Sequence, residues 1–244
     1  MHFSDAQYLP IAPPAFAVLA GIVAILLILV QLRILQYAYM QLGVSSGTAV
    51  LLLLASLAGS YINIPVAALG SEPMIDAREV IYFGVPYVVP RFVEEPQVIL
   101  AVNVGGAIIP TALSFFLLSR NAIWGRGIIA AACVAGISYA FAEPVRGVGI
   151  ALPIFVLPIA ATIVAAIISW RDSWRNLAPL AYAGGSLGVL IGADLLNMDK
   201  LKGLGTPVLS IGGAGIFDGI FITGVLAVLL ASLIGGRAHA AQAW

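Results

Sequence analysis

Seven times between residues 15 and 234 the chain runs apolar for roughly the 20 residues that a helix needs to cross a bilayer core of about 30 Å. The segments are residues 15–32, 47–69, 97–119, 127–142, 150–170, 178–198 and 207–234. The first continues as an amphipathic stretch through Tyr37 and Tyr39. Composition closes off the alternative of a water-soluble globule. Only 9% of the residues are Asp, Glu, Lys or Arg, against about 25% in ordinary soluble domains, so polar surface is too scarce to wrap such a core. The expected fold is an all-α polytopic membrane protein of about seven transmembrane helices, forming a single transmembrane domain over residues 1–244. A soluble enzyme, a disulfide scaffold and a disordered chain are excluded on the same ground.

Charge and punctuation refine this picture. Eleven basic and eleven acidic residues give a formal charge of zero, so nucleic acid is not an expected partner. The expected partners are the lipid bilayer and other membrane chains. Cys133 is the sole cysteine; its apolar neighbours give it the expected role of a small buried hydrophobe. No Lys or Arg precedes the first apolar run, which reads as a retained helix instead of a cleaved signal. The one long connection, residues 70–96, is acidic, and Glu79 to Pro90 within it reads as two β-rich runs about a Gly/Pro turn. A small extramembrane hairpin is expected there. Five Lys and Arg fall on one side of the seven spans and six on the other. With the acidic connection placed outside, the expectation is a bacterial or archaeal cytoplasmic-membrane protein with its N-terminus outside and its C-terminus inside.

Against this background two acids stand out. Asp194 lies in Leu190-Ile191-Gly192-Ala193-Asp194-Leu195-Leu196-Asn197, and Asp218 in Gly212-Gly213-Ala214-Gly215-Ile216-Phe217-Asp218-Gly219. Burying an Asp at a membrane helix centre costs about 2.5–3.5 kcal/mol, so such a group is partnered, protonated or beside water. Asp194 is expected about 6 Å inside the end of its span. Asp218 is expected about 8 Å from the same end, if its helix starts near Gly213. Two carboxyls at matching depth would share one proton and form an acid–base pair. The structural alternative has Asp194 reaching the interface or meeting Lys200 or Lys202, and Asp218 capped by nearby polar groups.

Secondary candidates are Glu143, in the turn from Glu143 to Gly149 where a local pair with Arg146 competes with a cavity-facing role, and the amides Asn63, Asn103 and Asn197. Asn63 and Asn103 are expected to hydrogen-bond between helices. No spacing of His, Cys or acids marks a metal site, and Gly213-Ala214-Gly215 lacks the Lys of a phosphate loop; no cofactor is expected. Trp124, Trp170, Trp174 and Trp244 fall at span edges or the terminus, as interface anchors do.

These residues carry a resemblance. Asn63-Ile64-Pro65, Asn103-Val104-Gly105-Gly106 through Pro110, Gly147 to Pro153, Gly192 to Asn197 and Ser210 to Phe221 resemble the bacterial and archaeal membrane family known as domain of unknown function 1614. That resemblance implies a polytopic membrane protein and no defined activity. Asp194 and Asp218 also give a distant likeness to presenilin-type intramembrane aspartyl proteases. The departures are Ala193 where that family has Tyr, Gly215 three residues before Asp218, seven spans in place of nine, and no Pro-Ala-Leu element. Three functions are therefore expected to compete: an intramembrane hydrolase using the two acids, a proton- or ion-coupled transporter or channel, and a non-catalytic subunit of a larger membrane complex.

Overall fold

The computed structural model describes residues 13–69, 73–82, 85–94, 98–145, 149–170, 174–201, 208–213 and 219–241. A 29-residue helix opens the described chain, α1 (Pro13–Gln41), and the backbone turns at Gly43 with φ +79°. Ser45 then caps α2 (Ser46–Gly59), its side chain accepting from the Thr48 N–H at 3.2 Å. Strand β1 (Asn63–Leu69) follows. The hairpin strands β2 (Pro73–Tyr82) and β3 (Val85–Glu94) pair antiparallel, within the connection where the sequence calls for a hairpin. Strand β4 (Val98–Asn103) passes through a π-helical turn, Val104–Ile108, into α3 (Ile109–Arg120). Helix α4 (Trp124–Phe141) leads to the short antiparallel pair β5 (Glu143–Val145) and β6 (Gly149–Ala151), and then to α5 (Val156–Ser169). Helix α6 (Leu177–Val189) loosens into a second π-helical turn, Leu190–Leu195; β7 (Val208–Ile211) and α7 (Gly219–Ala241) complete the described chain.

Seven helices are present among the described residues, but four of the seven apolar runs are part strand; the run at 150–170 begins in β6. The run at 47–69 is helical only to Gly59; the run at 97–119 begins as β4; the run at 207–234 begins as β7. Strands β1, β4 and β7 form one sheet in the order β1-β4-β7. β1 runs antiparallel to β4, and β4 runs parallel to β7 with Ile99 opposite Val208 and Val102 opposite Ile211. The reason is local. Ile64-Pro65-Val66, Val98-Ile99 and Val208-Leu209-Ser210-Ile211 are rich in β-branched side chains, with Pro65 inside the first and Pro96 and Pro207 just before the others; both features disfavour helix, whereas hydropathy alone does not separate a buried strand from a helix. Consequently α2, with 14 residues, rises only about 21 Å. Three helical stretches remain long and apolar enough to cross a membrane by length and composition: Ala20–Gln41, Trp124–Phe141 and Trp174–Leu195.

Helix α6 is the axis of the molecule. Every residue from Pro179 to Val189 is buried, with α3, α4, α5 and α7 packed around it. Small residues make this possible: a Cβ placed on Gly188 would stand 2.5 Å from Val134 Cβ, inside any tolerable contact, so α4 and α6 approach only because Gly188 has none. Thr162 Oγ1, on α5, lies 2.8 Å from the Pro158 carbonyl and 3.2 Å from the Ala227 carbonyl of α7. Tyr39 of α1 meets Tyr182 of α6 with ring centroids 6.3 Å apart. Outward faces are apolar as well: Leu51, Ile128 and Ile163 are exposed. Cys133 shares this outward position, correcting the expectation of a buried thiol.

Replacing Gly188 by Val should overpack the α4–α6 contact and destabilise the fold by about 1–3 kcal/mol. Thermal unfolding in detergent should show a clear drop in midpoint, while Ile128→Val on the outward face of α4 leaves it unchanged within error.

Candidate functional site

Where the helices give way to strands, a chain of polar groups crosses the sheet. Asn103 is fully buried at the end of β4. Its Oδ1 accepts from the Gly106 N–H at 2.8 Å, satisfying one of the donors exposed at the start of the π-helical turn. Its Nδ2 donates to the Ser60 carbonyl at 2.7 Å and to Asn63 Oδ1 at 3.0 Å. Asn63, at the start of β1, is thereby tied to β4, so the two asparagines do bond each other, although from strands and not from helices. Ser210 Oγ extends the chain to β7. It lies 2.6 Å from Asn63 Oδ1 and 2.8 Å from the Gly213 carbonyl, with one proton to place between them.

Asp194 enters from the other side. It sits half-buried on the Leu190–Leu195 turn, and its Oδ2 accepts the Gly212 N–H at 2.8 Å. Gly212 follows β7 directly, has φ +85°, and lies so near the first π-helical turn that a Cβ there would be 2.6 Å from Ala107 Cβ. Both the left-handed backbone and the close approach require glycine. The Asp194 carboxylate therefore touches the residue that rests on the other broken helix, and the two π-helical turns meet at Gly212. Asn197, also buried, donates from Nδ2 to the Gly192 carbonyl at 2.9 Å and the Ala193 carbonyl at 3.1 Å. It thus occupies acceptors where α6 loosens, so Asn197 serves the turn that presents Asp194. The Lys200 ammonium lies 4.5 Å from the Tyr139 ring centroid.

Asp218 lies outside the described residues. So does the depth expected from a helix starting near Gly213, since α7 is described from Gly219. Described residues on both sides of it contact the Asp194 turn: Gly212 through its N–H, and Ile220 through a cluster with Ala193, Val189 and Leu157. Glu143 is exposed on β5, and Arg146, its expected partner, lies outside the described residues. Ala142, next to Glu143, packs against the cluster that contains Ala193, which puts Glu143 near this end of the molecule but not in the hydrogen-bonded chain. Ser60, Ser210 and Gly212 complete the junction and escape a search for charged residues. Among the described residues no group of three or more His, Cys, Asp or Glu is arranged to hold a metal ion.

A family model for a protein of unknown function, DUF1614, matches residues 57–230. The chain belongs to this family. The DUF1614 match starts late in α2 and ends within α7, so it takes in the sheet, both π-helical turns, Asn63, Asn103, Asp194 and Asp218. No curated protein and no solved structure matches the chain.

Changing Asn103 to Ala would strand the Gly106 N–H, the Ser60 carbonyl and one acceptor position on Asn63. The expected loss is about 1–3 kcal/mol, read as a lower unfolding midpoint. An Asn103→Ala protein as stable as the wild type would show that the junction does not hold β1 to β4.

Proposed function

We propose that the chain is an integral membrane protein whose working centre is a pair of acids, Asp194 and Asp218, sharing one proton and hydrolysing a membrane-embedded peptide bond. The membrane placement is supported by the three long apolar helices and by the apolar outward faces of the others. The observation that carries the site is the Asp194–Gly212 hydrogen bond. It fixes a carboxylate on a loosened helix against the segment that leads, six residues later, to the second acid. π-Helical turns of this kind gather at functional sites, and an ionisable group in a spanning segment is a functional candidate by default. In the proposed reaction one carboxylate takes a proton from water as it attacks the carbonyl carbon, while the protonated partner donates to the departing amine. Strand β7 has no further strand on its outer edge among the described residues, so an extended substrate segment has a backbone edge to pair with.

Proton-coupled transport is a second reading, favoured by one observation. Both π-helical turns touch Gly212, and Asp194 bonds to it; broken helices with an acid at the break also build the ion and substrate sites of carriers.

Asp194→Asn and Asp218→Asn should each reduce cleavage of a membrane-embedded reporter peptide by about 100- to 10,000-fold, with the unfolding midpoint retained. Wild-type cleavage by either single variant would end the hydrolytic reading. Proton-dependent flux in proteoliposomes that both variants lose, without cleavage by the wild type, would establish the second.

A further inference from the structure

The opposite end of the molecule carries a site unrelated to the acids. A cavity of about 370 Å³ lies where α1, α3 and the turn before α6 meet. Arg120 and Arg175 line it together with Gln41, Asn121 and Asn176. No carboxylate lines it among the described residues. It adjoins a larger cavity of about 510 Å³ between α2 and α3, and the two share Gly43 and Arg120. The second cavity is apolar, walled by Leu52, Ile109, Ala112, Leu113 and Phe116.

Arg120 is the pivot. Its Nη1 donates to the Gly43 carbonyl at 2.7 Å, and its guanidinium stands 5.9 Å from the Phe116 ring centroid. These contacts hold a positive charge at the mouth of the apolar groove. Along α3, from Arg120 to Ile109, the groove extends about 16 Å, half the thickness of a bilayer core of about 30 Å. Its mouth also lies at the expected level of lipid headgroups. Trp124 opens α4 and Trp170 follows α5, both exposed at this end, and Trp174 lines a neighbouring cavity that shares Gln41 and Arg175. Exposed tryptophans gather at the membrane interface.

We propose that this composite cavity binds an anionic phospholipid. Its phosphate is held by Arg120 and Arg175 with the surrounding amides, and one acyl chain lies in the groove between α2 and α3. Guanidinium groups suit phosphate because their N–H donors match its oxygens in pairs, and basic pockets between spanning helices take anionic headgroups. A free phosphate would use only the polar half of the site. The proposal rests on the membrane placement made above, but not on the two acids or their chemistry.

The test is reconstitution in phosphatidylcholine nanodiscs with and without phosphatidylglycerol, followed by mass-spectrometric counting of lipid retained on the protein. Wild type should retain phosphatidylglycerol in clear excess over its share of the disc, and Arg175→Gln should reduce that excess by about tenfold. Ala112→Trp, which fills the groove and leaves both arginines, should reduce it similarly, with the unfolding midpoint in phosphatidylcholine unchanged. Equal retention of the two lipids by inserted wild-type protein would overturn the lipid site while leaving the membrane placement standing. So would stabilisation by inorganic phosphate equal to that by phosphatidylglycerol and insensitive to Ala112→Trp. Failure of the wild type to enter nanodiscs would overturn the placement and the site together.

Discussion

Backbone hydrogen bonding in apolar surroundings is the constraint on which this structure depends. Each buried N–H and C=O needs a partner, because one left unpaired away from water costs several kcal/mol. A continuous helix answers within itself. This chain breaks helices at two places, Val104–Ile108 and Leu190–Leu195, and stops α2 after 14 residues. The displaced backbone groups find partners in the β1-β4-β7 sheet and in two buried amides. Asn103 takes the Gly106 N–H and gives to the Ser60 carbonyl; Asn197 gives to the Gly192 and Ala193 carbonyls. Without these substitutes the breaks would revert to helix or fill with water.

That compensation explains why the polar residues gather at one level. An asparagine side chain imitates a peptide group, offering a donor and an acceptor, so Asn63 and Asn103 belong where strand replaces helix. An aspartate does not imitate a peptide group. Its carboxylate accepts from Gly212, yet an amide or hydroxyl would accept there too without bringing an ionisable group into an apolar molecule. The choice of an acid at Asp194 is the part of the junction that backbone pairing does not require, and it is what gives the site its proposed chemistry. The opposite end is built differently, with arginines and tryptophans about open cavities.

Legibility in the sequence followed the same physics. Apolar runs located the seven helices present among the described residues, because hydropathy reports burial or lipid exposure whatever the backbone does. It gave no warning that residues 63–69, 98–103 and 208–211 are strands, since Val, Ile and Leu are as apolar in one state as in the other. The clues were Pro65 and the density of β-branched residues. Asp194, Asn103 and Asn63 stood out as polar interruptions and do converge on one junction. Asn197 was singled out for the same reason, and its bonds to two carbonyls reveal a supporting role. Ser210 and Gly212 were not distinguishable, because a serine or a glycine in an apolar run is unremarkable until a parallel strand pairing, which no local pattern encodes, brings β7 beside β4.

The most direct test of the central claim is disulfide trapping of the two acidic positions. With Cys133 changed to Ser, the chain has no cysteine, so Asp194→Cys combined with Asp218→Cys introduces a single possible pair. Disulfides form only when the two Cα atoms come within about 4.4–6.8 Å. Mild oxidation in membranes should yield a rapid intramolecular bond between 194 and 218, and none when Asp194→Cys is combined with Phe116→Cys on α3. A 194–218 pair that stays reduced under conditions that oxidise accessible thiols would contradict a shared-proton centre.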